Sequence, residues 1–175
     1  MFRDKSLVPS EAIRLLALGL LAEQSCSYAA LAEEVRRTSG LLVGPSLDLL
    51  APPLQLLQIE GLAEEADGRL ALTPSGRREL ERLLTAPLRQ PANDLHKLVM
   101  ALKLRFLCYL PEAQQILELE TLAEAAERER ARLAELARGA EHRGHFGQWL
   151  ALERSHAEAR LLWLRQRVAA AEPPR

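Results

Sequence analysis

Apolar residues recur at helical spacing along most of the chain, and the interruptions mark where it turns. Ile13, Leu16, Ala17, Leu20 and Leu21 share one face of a first helix, expected from Pro9 or Ser10 to about Glu23; either residue suits its start. Ser27 is the N-cap of a second helix over residues 27–38. Its inner face is Tyr28, Leu31, Ala32 and Val35, and its wet side is Glu33, Glu34, Arg36 and Arg37. Thr38-Ser39-Gly40 is expected to stop it, with Gly40 as a left-handed cap. A third helix lies within residues 46–60 and is closed by Gly61. Pro52 and Pro53 interrupt its pattern, so its regular part is expected to begin near Pro52. Then the period changes. Two short extended runs, 62–66 and 69–72, flank Asp67-Gly68, a two-residue hairpin signal. Thr73 and Pro74 fit the cap and first position of a fourth helix, which ends near Leu84 with Leu80, Leu83 and Leu84 inward.

Residues 85–93 hold Pro87 and Pro91 and few large apolar side chains, and read as the boundary between a unit 1–86 and a unit 87–175. Three helical patterns follow. Residues 94–110 are apolar at Leu95, Leu98, Val99, Leu102, Phe106 and Tyr109. Residues 111–138 carry a seam of Ile116, Leu119, Ala123, Ala126, Leu133 and Ala137, a coiled-coil spacing broken at Arg130. After a glycine-containing break around 139–147, the last helix spans 146–171. There Trp149 and Trp163, 14 residues apart, share a face, with Leu161, Leu164 and Val168 nearby. Pro173-Pro174-Arg175 reads as a frayed tail.

Three helices, a tight hairpin and a fourth helix predict a mostly α fold, a winged helix-turn-helix with a small β-hairpin wing, followed by long antiparallel C-terminal helices. Long helices with unpartnered seams call for a second copy of the chain, so a homodimer is expected by two-fold symmetry. Its expected contact residues are Ile116, Leu119, Leu133, Trp149, Leu161, Trp163 and Leu164.

Composition agrees with the helical reading. Leu supplies 38 of 175 residues, Val and Ile together 8 and aromatics 7, which disfavours a sheet-dominated fold. Charge is less accommodating. The formal net charge is −1, with −3 over residues 1–86 and +2 over 87–175, so neither half has the basic excess of a strong nucleic-acid binder. No run of 18 apolar residues or secretory leader is visible, which predicts a cytoplasmic protein without a membrane partner. Cys26 and Cys108 have neither metal nor redox spacing and read as free thiols in a reducing compartment.

The stretches Ile13-Arg14-Leu15-Leu16-Ala17-Leu18-Gly19-Leu20-Leu21, Ser27-Tyr28, Ala51-Pro52-Pro53-Leu54-Gln55-Leu56-Leu57-Gln58-Ile59-Glu60-Gly61-Leu62 and Leu72-Thr73-Pro74-Ser75-Gly76-Arg77-Arg78-Glu79-Leu80 resemble the PadR family of bacterial transcriptional regulators. So do Leu107 to Glu112, Trp149-Leu150-Ala151-Leu152-Glu153-Arg154 and Leu162-Trp163-Leu164 in the C-terminal part. The long two-helix tail is similar to the AphA-like subgroup. The resemblance implies a homodimeric DNA-binding regulator, with phenolic acids or drug-like molecules as effectors of some members.

The expected DNA contacts are Arg36 and Arg37 on the second helix, Ser46, Gln55 and Gln58 on the third, and Arg69 beside the wing tip. Arginines neutralise phosphates and a glutamine can bond adenine through two atoms. Yet no Lys or Arg lies between Thr38 and Gly68, where the charges are Asp48, Glu60, Glu64, Glu65 and Asp67. The third helix is also apolar on two sides, Leu50, Leu54 and Leu57 on one and Leu49, Leu56 and Ile59 on the other. One stripe belongs in the core. The second is expected beneath the hairpin or another segment, with a partner-binding or DNA-facing role as the alternatives. His142, His145 and His156 with Glu141 read as a solvated loop cluster, a transition-metal site being the alternative. Trp149 and Trp163 read as dimer or coiled-coil core, with a pocket for a small hydrophobic effector as the alternative. No catalytic constellation or phosphate loop is present, so neither enzyme activity nor a cofactor is expected. The functional expectation is a homodimeric DNA-binding regulator, a repressor. The alternative is a non-enzymatic interaction module that keeps the winged-helix fold with weakened or lost DNA binding.

Overall fold

Helix α1 (Pro9–Glu23) is apolar around most of its circumference, and the structure buries it accordingly: Ala12, Ile13 and Leu15 to Leu18 are inaccessible to solvent. The computed structural model describes residues 7–43, 51–87, 94–138 and 144–171. Around α1 pack α2 (Tyr28–Val43), α3 (Ala51–Ile59), α4 (Pro74–Leu84), α5 (Asp94–Phe106) and the second strand of a hairpin, β1 (Ala63–Ala66) and β2 (Arg69–Leu72). The order is that of a winged helix-turn-helix. Gly19 is required by packing: a Cβ there would lie 2.5 Å from the ring of Phe106, itself fully buried.

The wing is as expected. β1 and β2 are antiparallel, with Ala63 opposite Leu72 and Ala66 opposite Arg69. The tip residues Asp67 and Gly68 both have positive φ, 52° and 72°, the backbone that Asp-Gly supplies to a two-residue hairpin. Thr73 caps α4, its hydroxyl accepting from the Gly76 N–H at 3.0 Å and donating to the Gly61 carbonyl at 2.7 Å.

Several expectations are corrected. α2 runs on to Val43 instead of stopping at Thr38-Ser39-Gly40. Buried Ser39 donates its hydroxyl to the carbonyls of Val35 and Arg36, so its polar group is satisfied inside the helix. α3 is as expected: it begins at Ala51, beside the expected start near Pro52, and takes both prolines in its first turn, where missing N–H groups do no harm. α5 stops at Phe106 and gives way to a single 3-10 turn, Leu107–Tyr109. The last helix begins at Gly144, not Phe146.

The chain divides into two compact units, Met1–Leu110 and Pro111–Arg175, the first of which takes in α5 against α1 and α2. The second consists of α6 (Glu112–Arg138) and α7 (Gly144–Ala171). These run antiparallel: Leu133 packs with Leu150 and Ala157, while Glu127 meets Arg165 at 2.8 Å. Here too the expectation is corrected, because each long helix finds a partner for its seam within the chain. α6 turns Glu118, Leu119, Leu122, Ala125, Ala126 and Leu133 inward, and α7 turns in Leu150, Ala157, Leu161 and Leu164.

Candidate nucleic-acid interface

In a winged helix the third helix and the wing face the ligand, so the outward side of α3 is decisive. Leu54 and Leu57 are buried against α1. Gln55, Leu56, Gln58 and Ile59 point outward, Ile59 with 78% of its surface open. The second apolar stripe is therefore not covered by the hairpin; of its members, Leu49 lies outside the described residues, as does Leu50 of the inner stripe. Gln58 donates to the Glu65 carboxylate of β1 at 3.1 Å, tying α3 to the wing. Glu60, after the last turn, receives Arg14 of α1 at 2.9 Å.

The wing is fixed from below. The N–H of Cys26 donates to the Leu70 carbonyl at 3.2 Å and the Leu70 N–H donates back at 2.7 Å. Gly76 makes the close approach of α4 to the wing base possible, since a Cβ there would stand 2.0 Å from the carbonyl oxygen of Leu62.

The expected cations are present but engaged. Arg36 pairs with Glu33. Arg37 donates two bonds to Glu34, at 2.6 and 2.9 Å. These bonds, before all else, hold the Glu34 carboxyl below its usual range and raise the Arg37 guanidinium. Arg69 folds back to the Ser25 hydroxyl at 3.3 Å and to the Ser25 carbonyl, so it braces the wing instead of projecting from it. Ser46 lies outside the described residues. The structure thus gathers Gln55, Gln58 and the wing on one surface, with Glu64, Glu65 and Asp67 all exposed. The Glu-Arg spacing at 33/36 and 34/37 is visible in the sequence and signals the pairing. The Arg69–Ser25 contact spans 44 positions and has no sequence signal.

In the second unit the expected dimer residues divide. Leu119, Leu133, Leu161 and Leu164 are buried inside the α6–α7 pair, and Ile116 is half-buried. Trp149 and Trp163 stay 48% and 44% exposed. They belong to a second set of positions at alternating three- and four-residue steps, Trp149, Leu152, His156, Ala159 and Trp163, all exposed. Phe146 stacks on Trp149 at 5.5 Å and Arg167 lies over Trp163 at 5.9 Å. Of the histidine cluster, His142 lies outside the described residues, and His145 and His156 are exposed on α7. No helix among the described residues is long and apolar enough to cross a membrane.

A family model described as "Putative AphA-like transcriptional regulator" matches residues 2–168. No curated protein matches the chain. Among solved structures, Bacillus subtilis PadR is 19% identical, covers 97% of this chain and 99% of its own, and has a TM-score of 0.43. PadR in complex with operator DNA is 18% identical, with coverage of 91% and 99% and a TM-score of 0.37. A PadR-like regulator from Bacillus cereus is 17% identical, with coverage of 91% and 97% and a TM-score of 0.39.

Proposed function

The chain belongs to the AphA-like family of transcriptional regulators, and from that premise we propose that it is a cytoplasmic, non-enzymatic repressor that binds operator DNA as a homodimer. Residues 1–86 form the DNA-reading part and residues 87–175 serve dimerisation. The observation that carries the DNA reading is the outward face of α3, where Gln55 and Gln58 stand beside the wing. Either can reach an adenine edge, and Arg36 and Arg37 supply phosphate contacts once released from Glu33 and Glu34. Dimerisation rests on the open stripe of α7, since exposed tryptophans in a row with an exposed leucine mark a surface to be covered. Two-fold pairing then sets the spacing of the operator half-sites. A small hydrophobic effector remains part of this reading.

A titration of DNA from upstream of the protein's own gene, repeated across salt concentrations, tests it. Saturable binding that weakens with salt is expected; no salt-dependent binding refutes it. One observation favours a second reading, an interaction module with lost DNA binding. Leu56 and Ile59 are open on α3, Glu60, Glu64, Glu65 and Asp67 are exposed after it and on the wing, and no Lys or Arg occurs from residue 39 to 67. Failure of the DNA titration together with an intact fold would select it.

A further inference from the structure

A cleft of 380 Å³ opens in the first compact unit, where the end of α1, the α1–α2 link, α2 and α5 come together. Its volume is at the small end for a ligand pocket, suited to a single-ring molecule. Leu20 and Leu31, both buried, give it an aliphatic floor, beside the half-buried Cys26. Burial pushes the Cys26 thiol up, against the opposing pull of Arg69, so at neutral pH the floor carries no charge.

The rim carries three charges: Glu23, Glu34 and Arg105. Arg105 is committed. It donates to both carboxylate oxygens of Glu23, at 3.1 and 3.0 Å. An entering carboxylate must displace Glu23 from this two-bond pair and meets Glu34 besides. An entering cation finds Glu34, which accepts two bonds from Arg37, a side chain 59% exposed, and one from the Thr38 hydroxyl at 3.1 Å. Arg37 is not part of the cleft lining and is more open to water than Arg105, 59% against 36%, so it is the easier of the two guanidiniums to displace, and the lining without it carries one more carboxylate than guanidinium.

We propose that this cleft binds a small organic cation, an ammonium on a compact apolar body, with the charge on Glu34 and the body on Leu20 and Leu31. The ligand replaces Arg37 on Glu34 and so releases the guanidinium expected to contact DNA. The same cleft includes Cys26, which holds the wing through its two backbone bonds to Leu70. Occupancy therefore favours the DNA-binding form, and DNA in turn favours occupancy, by reciprocity of coupling. This last consequence rests on the DNA-binding reading; the cation site does not.

Calorimetric titration of the full-length protein without DNA is the test, using phenethylamine, phenylacetate and phenylethanol, which share a ring and differ in charge. Phenethylamine should saturate one site per chain and phenylacetate should not bind. Glu34→Gln should weaken the amine by about tenfold or more, the scale of a hydrogen bond to a charged group. Arg37→Gln, which leaves Glu34 with only the Thr38 hydroxyl as donor, should strengthen it. Both positions are on the surface, so thermal melts matching the wild type should accompany the titrations. Equal or tighter phenylacetate binding overturns the proposal. So does the absence of saturable amine binding, or an amine affinity that Glu34→Gln leaves unchanged. If the amine binds as stated while operator DNA binds neither with nor without it, the cation site stands and the DNA-binding reading falls.

Discussion

The two tryptophans of the chain both lie on the open stripe of α7, so intrinsic tryptophan emission reports on that face alone. If a second copy covers the stripe, emission shifts to shorter wavelength on association and back on dilution. The size of the effect follows from the exposures, 48% for Trp149 and 44% for Trp163. A tryptophan side chain presents about 200 Å², so about 90 Å² of each remains to be covered, or about 2 kcal/mol at about 25 cal/mol per Å². Two-fold symmetry counts every position twice. Trp163→Ala should therefore cost about 4 kcal/mol of association at most, up to about a thousandfold in Kd, since the freedom lost on association is common to both proteins. Trp163 stands outside the α6–α7 seam, so helix content should be unchanged, and Trp149 remains as reporter. Sedimentation equilibrium over a concentration series, with emission spectra on the same samples, gives the result. A variant that sediments like the wild type at every concentration, or a wild-type emission that ignores dilution, would refute the reasoning.

Three further outcomes can be measured. With Arg36 and Arg37 as the phosphate contacts of each protomer, log K against log salt should have a slope no steeper than about −4 for the dimer, and Arg36→Gln should flatten it by about 2. Gly76→Ala places a Cβ 2.0 Å from the Leu62 carbonyl oxygen, backbone that cannot yield without moving the wing. It should lower stability by about 2 kcal/mol or more, read from the denaturant midpoint. Glu79 has its carboxyl held below the usual range, first by its hydrogen bond to Arg82 and then by Arg14. A depressed carboxyl stabilises fully above its unfolded pKa, and that contribution fades as pH falls through the folded value. Glu79→Gln should thus flatten the acid limb of stability against pH by about 1 kcal/mol or less, Arg82 being half exposed.

The winged helix was legible because its signals are local. Asp67-Gly68 demands positive φ at both positions and Thr73-Pro74 sets a helix start, whatever the rest of the chain does. Helix ends were less legible. Gly40 looked like a terminator, but Ser39 bonded back into its own helix and α2 continued. The C-terminal seams were legible as seams and not in their pairing. α7 carries two apolar sets, Leu150, Ala157, Leu161 and Leu164 beside Trp149, Leu152 and Trp163, and spacing alone does not say which one α6 covers. The engagement of Arg69 was not legible for a similar reason: a residue type states what a side chain can do, whereas the Arg69 bonds to Ser25 depend on the folded chain.

The acidic wing and uncharged α3 bear on specificity as well as on affinity. Phosphate attraction supplies nearly all non-specific binding, and here the two arginines must first leave Glu33 and Glu34. On the proposed reading non-specific affinity is thereby held down, while the base contacts proposed for Gln55 and Gln58 ask only that Gln58 leave the Glu65 carboxylate, so the ratio of specific to non-specific binding can stay high. Absolute affinity must then come from reading two half-sites at once. A single winged helix with this surface holds its half-site weakly, and a linked pair gains the effective concentration of the second. Trp163→Ala should therefore abolish operator binding at concentrations where the wild type is saturated, although Trp163 lies on α7 and belongs to no part of the DNA-reading surface. A fluorescence-anisotropy titration of operator DNA checks this. Wild-type operator affinity in a demonstrably monomeric Trp163→Ala variant would mean that α3 and the wing suffice alone, and that dimerisation contributes nothing to recognition.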